Sequence, residues 1–165
     1  MANGLSAWIP FFSAVAECTA TLAGLVIVAV SVNVQKIISM THLPTRAFAA
    51  IGALMQVLVT SLAALIPQPV QAYAIELALA VLIGWTVHAR TTPRVVKGHA
   101  ALGRPLRERV IMLAMVYAQL LPLSAGAAMV GLGDLRGLYC VALAAVVALM
   151  VSALNAWVLL VEILR

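Results

Sequence analysis

Five polar side chains lie within long apolar segments of this chain, and they are the candidate functional residues. They are Glu17, Gln56, Glu76, Gln119 and Asn155. A carboxylate in hydrocarbon costs about 2.5 kcal/mol or more, so such a group faces a protein interior or a water-filled cavity. There it can exchange a proton or hold a small cation, as rings of Asp and Glu do in cation-selective pores. The glutamates therefore predict proton or cation handling, whereas the amides are typical of hydrogen bonding between helices.

Small residues recur around these polar groups at helical spacing. Such ladders let two helices approach closely and let a polar group find a partner across the contact. On the first segment, Ser13 and Thr21 share a stripe with Glu17, and we expect both hydroxyls to line the same interior face or pathway. The predicted packing positions are Gly24, Gly52, Gly84, Ala144, Ala148 and Ser152.

The composition indicates that lipid surrounds these residues. The chain has 165 residues, of which 65% are hydrophobic and 9% charged, and its mean hydropathy is +1.13. An ordinary soluble domain is about 45–50% apolar and about 25% charged. A membrane span needs about 20 apolar residues, and five segments qualify: 8–32, 47–66, 70–88, 110–130 and 137–163. The sequence therefore predicts an all-α bundle of five transmembrane helices that forms one transmembrane domain over 1–165.

The positive charges predict the orientation. With the N-terminus outside, nine of the ten Lys and Arg residues fall on the cytoplasmic side and only Arg136 falls outside. Cytoplasmic loops carry such an excess of cations, so we predict an outside N-terminus and an inside C-terminus. Most of these cations lie in segment 89–109, predicted as a long loop that faces anionic lipid headgroups or a partner protein. They are Arg90, Arg94, Lys97, Arg104, Arg107 and Arg109.

Other chemistry finds little support in the sequence. Cys18 and Cys140 lie in apolar segments without a CxxC motif, so we expect free thiols. The three histidines share no membrane face as a bis-histidine haem would need, and we expect neither a metal nor a cofactor. Hydrolase and nucleotide-binding motifs are absent from the sequence. The cations fall between apolar segments, which favours a lipid surface over nucleic acid.

Two short elements carry a resemblance. The run A-T-L-A-G-L-V-I-V-A-V-S-V-N at 20–33 is followed by L-P-T-R-A at 43–47. Over roughly the first 70 residues the chain resembles a group of short, uncharacterised bacterial multi-span membrane proteins. The resemblance implies a multi-pass protein of the bacterial cytoplasmic (inner) membrane and implies no mechanism.

Two functions of different classes fit these residues. The first is a small homo-oligomeric channel or transporter for protons or small cations, in which copies of Glu17 meet around a symmetry axis. The second is a non-catalytic assembly or regulatory subunit whose polar faces and basic segment dock partner proteins. A third class, an intramembrane enzyme or a carrier of a lipid-like ligand, is disfavoured, because the sequence shows no nucleophile and base for it.

Overall fold

A computed structural model of the chain describes residues 4–32, 34–35, 43–101 and 106–164, and this part of the chain forms five long helices and no strand. The helices are α1 (Ile9–Val32, after a 3₁₀ turn at Ser6–Trp8), α2 (Leu43–Leu65), α3 (Val70–Ala101), α4 (Leu106–Gly131) and α5 (Gly137–Leu164). Each contains a segment long and apolar enough to cross a membrane. The prediction of an all-α bundle with five spans is therefore confirmed, and the chain is a multi-pass membrane protein.

The segment between the third and fourth spans corrects the prediction of a long loop over 89–109. The apolar span of α3 ends at Arg90, but the helix continues to Ala101, and α4 already begins at Leu106. Charged residues end a membrane span but not a helix, because Arg and Lys have favourable helix propensities. Pro93 lies within α3 and does not terminate it. The described basic residues of this segment are carried on helix ends that extend beyond the apolar spans.

Two tight turns make antiparallel neighbours of α2 and α3 and of α4 and α5. The first contains Pro67 and Pro69, and the Pro69 carbonyl accepts the first backbone hydrogen bonds of α3. The second turn closes α4 in a Schellman motif, in which the Asp134 amide bonds to the Met129 carbonyl at 2.9 Å. Gly133 takes the left-handed conformation that this motif needs, with φ of 87°.

The helices pack around a central pair formed by α2 and α5. These two helices contact each other, and α1 packs against both of them. α3 packs against α2, α4 packs against α5, and α3 and α4 also pack against each other. Alanine supplies much of the buried surface of the central pair, as at Ala53, Ala145 and Ala148. Small side chains let helix backbones approach closely where lipid offers no hydrophobic driving force.

An aromatic cluster closes the end of the bundle where α1, α3 and α5 begin. The Trp8 and Tyr139 rings meet edge to face at 4.7 Å, and the Phe12 and Tyr73 rings lie 6.3 Å apart. Phe12 and Tyr73 are almost fully buried. We call this end of the molecule the aromatic end.

Candidate functional site

Glu17 lies on the side of α1 that faces away from the bundle. The buried side chains of α1 are Phe12, Val15, Ala16, Thr19, Ala23 and Val26. At about 100° per residue, Glu17 projects about 150° away from the middle of this buried face. Its side chain is exposed, so within one chain the carboxylate lies on the surface that would contact lipid or another protein.

The predicted neighbours of Glu17 share this outward direction. We call Ser13, Glu17, Ala20, Thr21 and Gly24 the α1 outer face; Ser13 is half-buried and the other four are exposed. The Ser13 hydroxyl donates to a Glu17 carboxylate oxygen at 3.3 Å, and the Thr21 hydroxyl donates to the Glu17 backbone carbonyl at 2.9 Å. A Cβ added at Gly24 would meet nothing within 4 Å. The α1 outer face is therefore polar, small and open.

Glu76 lies elsewhere, in a groove between α2 and α3. The groove has a volume of about 470 Å³. Its walls include Phe48, Gly52, Met55, Gln56 and Val59 from α2 and Glu76, Leu79, Ile83, Gly84 and His88 from α3. We call it the α2–α3 groove. Glu17 is not among its lining residues, so one chain does not bring the two intramembrane glutamates into one site.

The Glu76 carboxylate is held by the turn that joins α2 to α3. The Gln68 amide nitrogen donates to Glu76 Oε2 at 2.7 Å and to the Ala63 carbonyl at 2.9 Å. Ala63 belongs to the last turn of α2, where backbone carbonyls have no partner within the helix. Gln68 thus caps α2 and fixes the carboxylate at one end of the groove. Gln68 was not among the predicted site residues, although an amide between two prolines of a tight turn is close to both helix ends.

Gln56 bridges α2 and α3 in the middle of the groove. Its amide nitrogen donates to the Ala80 backbone carbonyl at 2.9 Å. One turn further along α3, a Cβ added at Gly84 would lie 2.7 Å from the Gln56 nitrogen and 2.8 Å from a Leu120 methyl carbon. The absence of a side chain at Gly84 is what lets Gln56 reach across, so these two residues form one packing unit.

A second polar group lies inside the bundle, between α2, α4 and α5. Gln119 is 7% exposed, and its side-chain oxygen has no hydrogen-bond partner among the described residues. Gln119 lines a cavity of about 20 Å³ together with Gln56, Thr60 and Ala148. This volume is enough for one water molecule. Gln56 therefore lines both the lateral groove and a small cavity that has three polar side chains among mostly apolar walls.

The other predicted interior and packing residues divide between the inside and the outside of the bundle. Ala144, Ala148 and Ser152 are buried on α5, and the Ser152 hydroxyl has no partner in the described part of the chain. Asn155 is half-buried. Gly52 is exposed, and a Cβ there would meet nothing within 4 Å.

The predicted basic residues are only partly described. Arg90 is exposed at the end of the third span, and Arg107 is exposed at the start of α4. Arg94 and Lys97 lie on the extension of α3 and Arg109 lies in α4. Arg104 lies outside the described residues.

A close contact between the backbones of α4 and α5 involves two glycines that were not among the predicted packing positions. A Cβ added at Gly126 would lie 2.8 Å from the Gly137 carbonyl oxygen and 2.7 Å from a Val141 methyl carbon. A Cβ added at Gly137 would lie 2.7 Å from the Gly126 carbonyl oxygen. The backbones of α4 and α5 therefore touch at this point.

The described residues do not bring three His, Cys, Asp or Glu side chains into a group that could hold a metal ion. Comparisons of the chain with protein-family models, with curated proteins and with solved structures find no match.

Proposed function

We propose that the protein is a homo-oligomeric channel or transporter for protons or small cations, with the α1 outer faces of several copies turned toward a common axis. The observation that carries this proposal is the direction of Glu17. A membrane helix that turns its one ionisable carboxylate away from its own bundle exposes it to lipid at a cost of several kcal/mol, unless other protein or water covers it. Copies of the same face, arranged around an axis, provide that cover.

The spacing of the hydroxyl groups along α1 supports a pathway. Ser13, Thr21 and Ser31 lie on the outward side with Glu17, and the distance from Ser13 to Ser31 is about 27 Å along a helix that rises 1.5 Å per residue. This nearly equals the hydrocarbon thickness of about 30 Å. The Thr21 and Ser31 hydroxyls donate to backbone carbonyls four residues earlier. Their oxygen lone pairs therefore remain available to a hydrated cation or to a chain of water molecules.

The charge of α1 also suits a cation. The first Lys or Arg of the chain is Lys36, so no basic residue within the first span neutralises Glu17. Several copies of one carboxylate around an axis attract positive charge and repel anions. We therefore infer selectivity for cations or protons.

Flux through reconstituted liposomes tests the proposal. Wild-type protein should conduct protons or small cations, and Glu17→Gln should abolish or alter the flux, because Gln keeps the shape of Glu but cannot ionise. Glu76→Gln should have a smaller effect, since Glu76 lies in the α2–α3 groove. If liposomes that contain the wild-type protein show no more proton or cation flux than empty liposomes, across a range of pH and cations, the channel or transporter proposal is ruled out.

Disulfide cross-linking tests the assembly separately. In a chain whose two native cysteines are replaced by alanine, Ala20→Cys should form a dimer on oxidation in the membrane. Leu82→Cys is the matched control, because Leu82 is 60% exposed on α3 and lies at a similar distance from the start of its helix. Equal cross-linking at both positions would indicate random collision.

The second candidate is an assembly or regulatory subunit, and the open space at Gly24 favours it, because a helix of any partner could pack closely there. This candidate predicts no flux and no specific cross-link at position 20 between copies. It also predicts that Gly24→Leu prevents co-purification of a partner without changing the elution volume of the isolated protein.

A further inference from the structure

The α2–α3 groove has the dimensions and lining of a ligand site that opens sideways into the bilayer. Its volume of about 470 Å³ falls within the range of about 300–1,000 Å³ that is typical of small-molecule sites. Val59 and Ile83, on opposite walls, are 61% and 63% exposed, so the groove is open to the surroundings of the helices. Apolar walls with a few placed polar groups are the usual composition of such sites.

The polar end of the groove holds a carboxyl group that has no basic partner among the described residues. Glu76 Oε2 is engaged by Gln68, whereas no hydrogen bond to Oε1 is found among the described residues. The sequence contains no Lys or Arg between Arg46 and Arg90. His88, the nearest basic side chain along α3, is twelve residues from Glu76, about 18 Å along the helix axis. A positive group at Oε1 would offset the cost of holding the carboxylate at this depth.

We propose that the α2–α3 groove binds a lipophilic cation, with its apolar body between the two helices and its positive group at Glu76. Charge complementarity favours this occupant over a lipid acyl chain, which fills an apolar groove but leaves the carboxylate uncompensated. Entry is lateral, from the hydrocarbon. The proposal concerns a different carboxylate from the conduction proposal and does not depend on it.

Two probe ions of the same size and opposite charge test the proposal. The protein in phosphatidylcholine nanodiscs should bind tetraphenylphosphonium saturably, above the level of empty nanodiscs, in equilibrium dialysis. It should not bind tetraphenylborate saturably. Glu76→Gln should weaken tetraphenylphosphonium binding about tenfold or more, because a charged partner is replaced by a neutral one of the same shape. Asp134→Asn, in the exposed turn before α5, is the control for a change of one unit in net charge.

A groove-filling variant provides a second test that leaves the carboxylate intact. Gly52→Leu should weaken tetraphenylphosphonium binding, because Gly52 lines the groove and a side chain added there would occupy part of the space for the apolar body. Gly131→Leu is the matched control, since Gly131 also has open space but lies outside the groove. Wild-type binding by Gly52→Leu would overturn the proposal, even if Glu76→Gln failed to fold.

The remaining outcomes are also decisive. Equal saturable binding of both probe ions would identify an apolar site without charge recognition and overturn the proposal. Binding that is lost in Glu17→Gln and kept in Glu76→Gln would assign the cation to the α1 outer face instead. Circular dichroism and the elution volume confirm for each variant that the fold is retained.

Discussion

The backbone contact between Gly126 and Gly137 makes Gly126→Ala a direct test of the fold. The new methyl carbon would lie 2.8 Å from the Gly137 carbonyl oxygen, whereas ordinary contact begins at 3.4 Å, so α4 and α5 must separate there by about 0.6 Å. A backbone carbonyl cannot rotate away as a side chain can, and overpacking of this kind costs about 1–3 kcal/mol. Alanine recovers about 0.5–1 kcal/mol through its higher helix propensity. The free energy of unfolding should therefore fall by about 1 kcal/mol, within limits of about 0 and 2.5 kcal/mol.

Reversible unfolding in mixed micelles with increasing SDS, followed by far-ultraviolet circular dichroism, measures this change. Gly52→Ala is the control, because Gly52 lies inside α2 and a Cβ there meets nothing within 4 Å. It should unfold at the wild-type SDS concentration or slightly above it, since only the propensity term remains. The reasoning is refuted if Gly126→Ala is as stable as Gly52→Ala.

Three further predictions concern the centre and the orientation of the bundle. Ala148→Leu should lower the free energy of unfolding by about 1–3 kcal/mol in the same assay, because Ala148 is 3% exposed and a larger side chain there overpacks the core. The control is Ala153→Leu on the exposed side of α5, which should change the free energy of unfolding by about 0.5 kcal/mol or less. Gln56→Leu should cost about 0.6 kcal/mol, the average for a hydrogen bond between membrane helices, and an unchanged stability would show that its bond to α3 contributes nothing. An impermeant maleimide added to intact cells should label Asp134→Cys but not Arg90→Cys in a chain without native cysteines, and the reverse pattern would contradict the predicted orientation.

The number and approximate limits of the spans could be predicted because hydropathy is a property of each segment by itself. The C-terminal end of α3 and the start of α4 could not be predicted in this way. Arg94 and Lys97 are too polar for a membrane span, yet both lie on the helix that continues from it. Hydropathy locates the change from lipid to water, whereas a helix ends only where its backbone hydrogen bonds do.

The stripe of Ser13, Glu17, Thr21 and Gly24 could be predicted as one face of a helix, but not the direction of that face. Helical periodicity places residues relative to one another on a cylinder and is the same whether a face turns inward or outward. The direction is set by the side on which α2 and α5 lie, and there Phe12 and Ala23 occupy the interior. The prediction that these hydroxyls line a shared pathway stays a prediction for the assembled protein.

The α2–α3 groove left a signal in the sequence that was not used. In a helical hairpin with a short turn, residues equally distant from the turn lie opposite each other. Gln56 stands twelve residues before Gln68, and its bonding partner Ala80 stands twelve residues after it. The same rule pairs Gly52 with Gly84, and both line the groove. The contact between Gly126 and Gly137 was harder to predict, because it depends on how closely two particular helices cross.

The central pairing of α2 and α5 fixes the order in which the protein can complete its fold during synthesis. Neighbouring helices such as α4 and α5 make local contacts, which form quickly because little loop entropy must be lost. The cluster of Val15, Val57, Ala145 and Ala148 instead joins the first two helices to the last one. A nascent chain that has inserted only four helices therefore holds the inner surfaces of α1 and α2 without their final partner, and the core closes only when α5 leaves the insertion machinery.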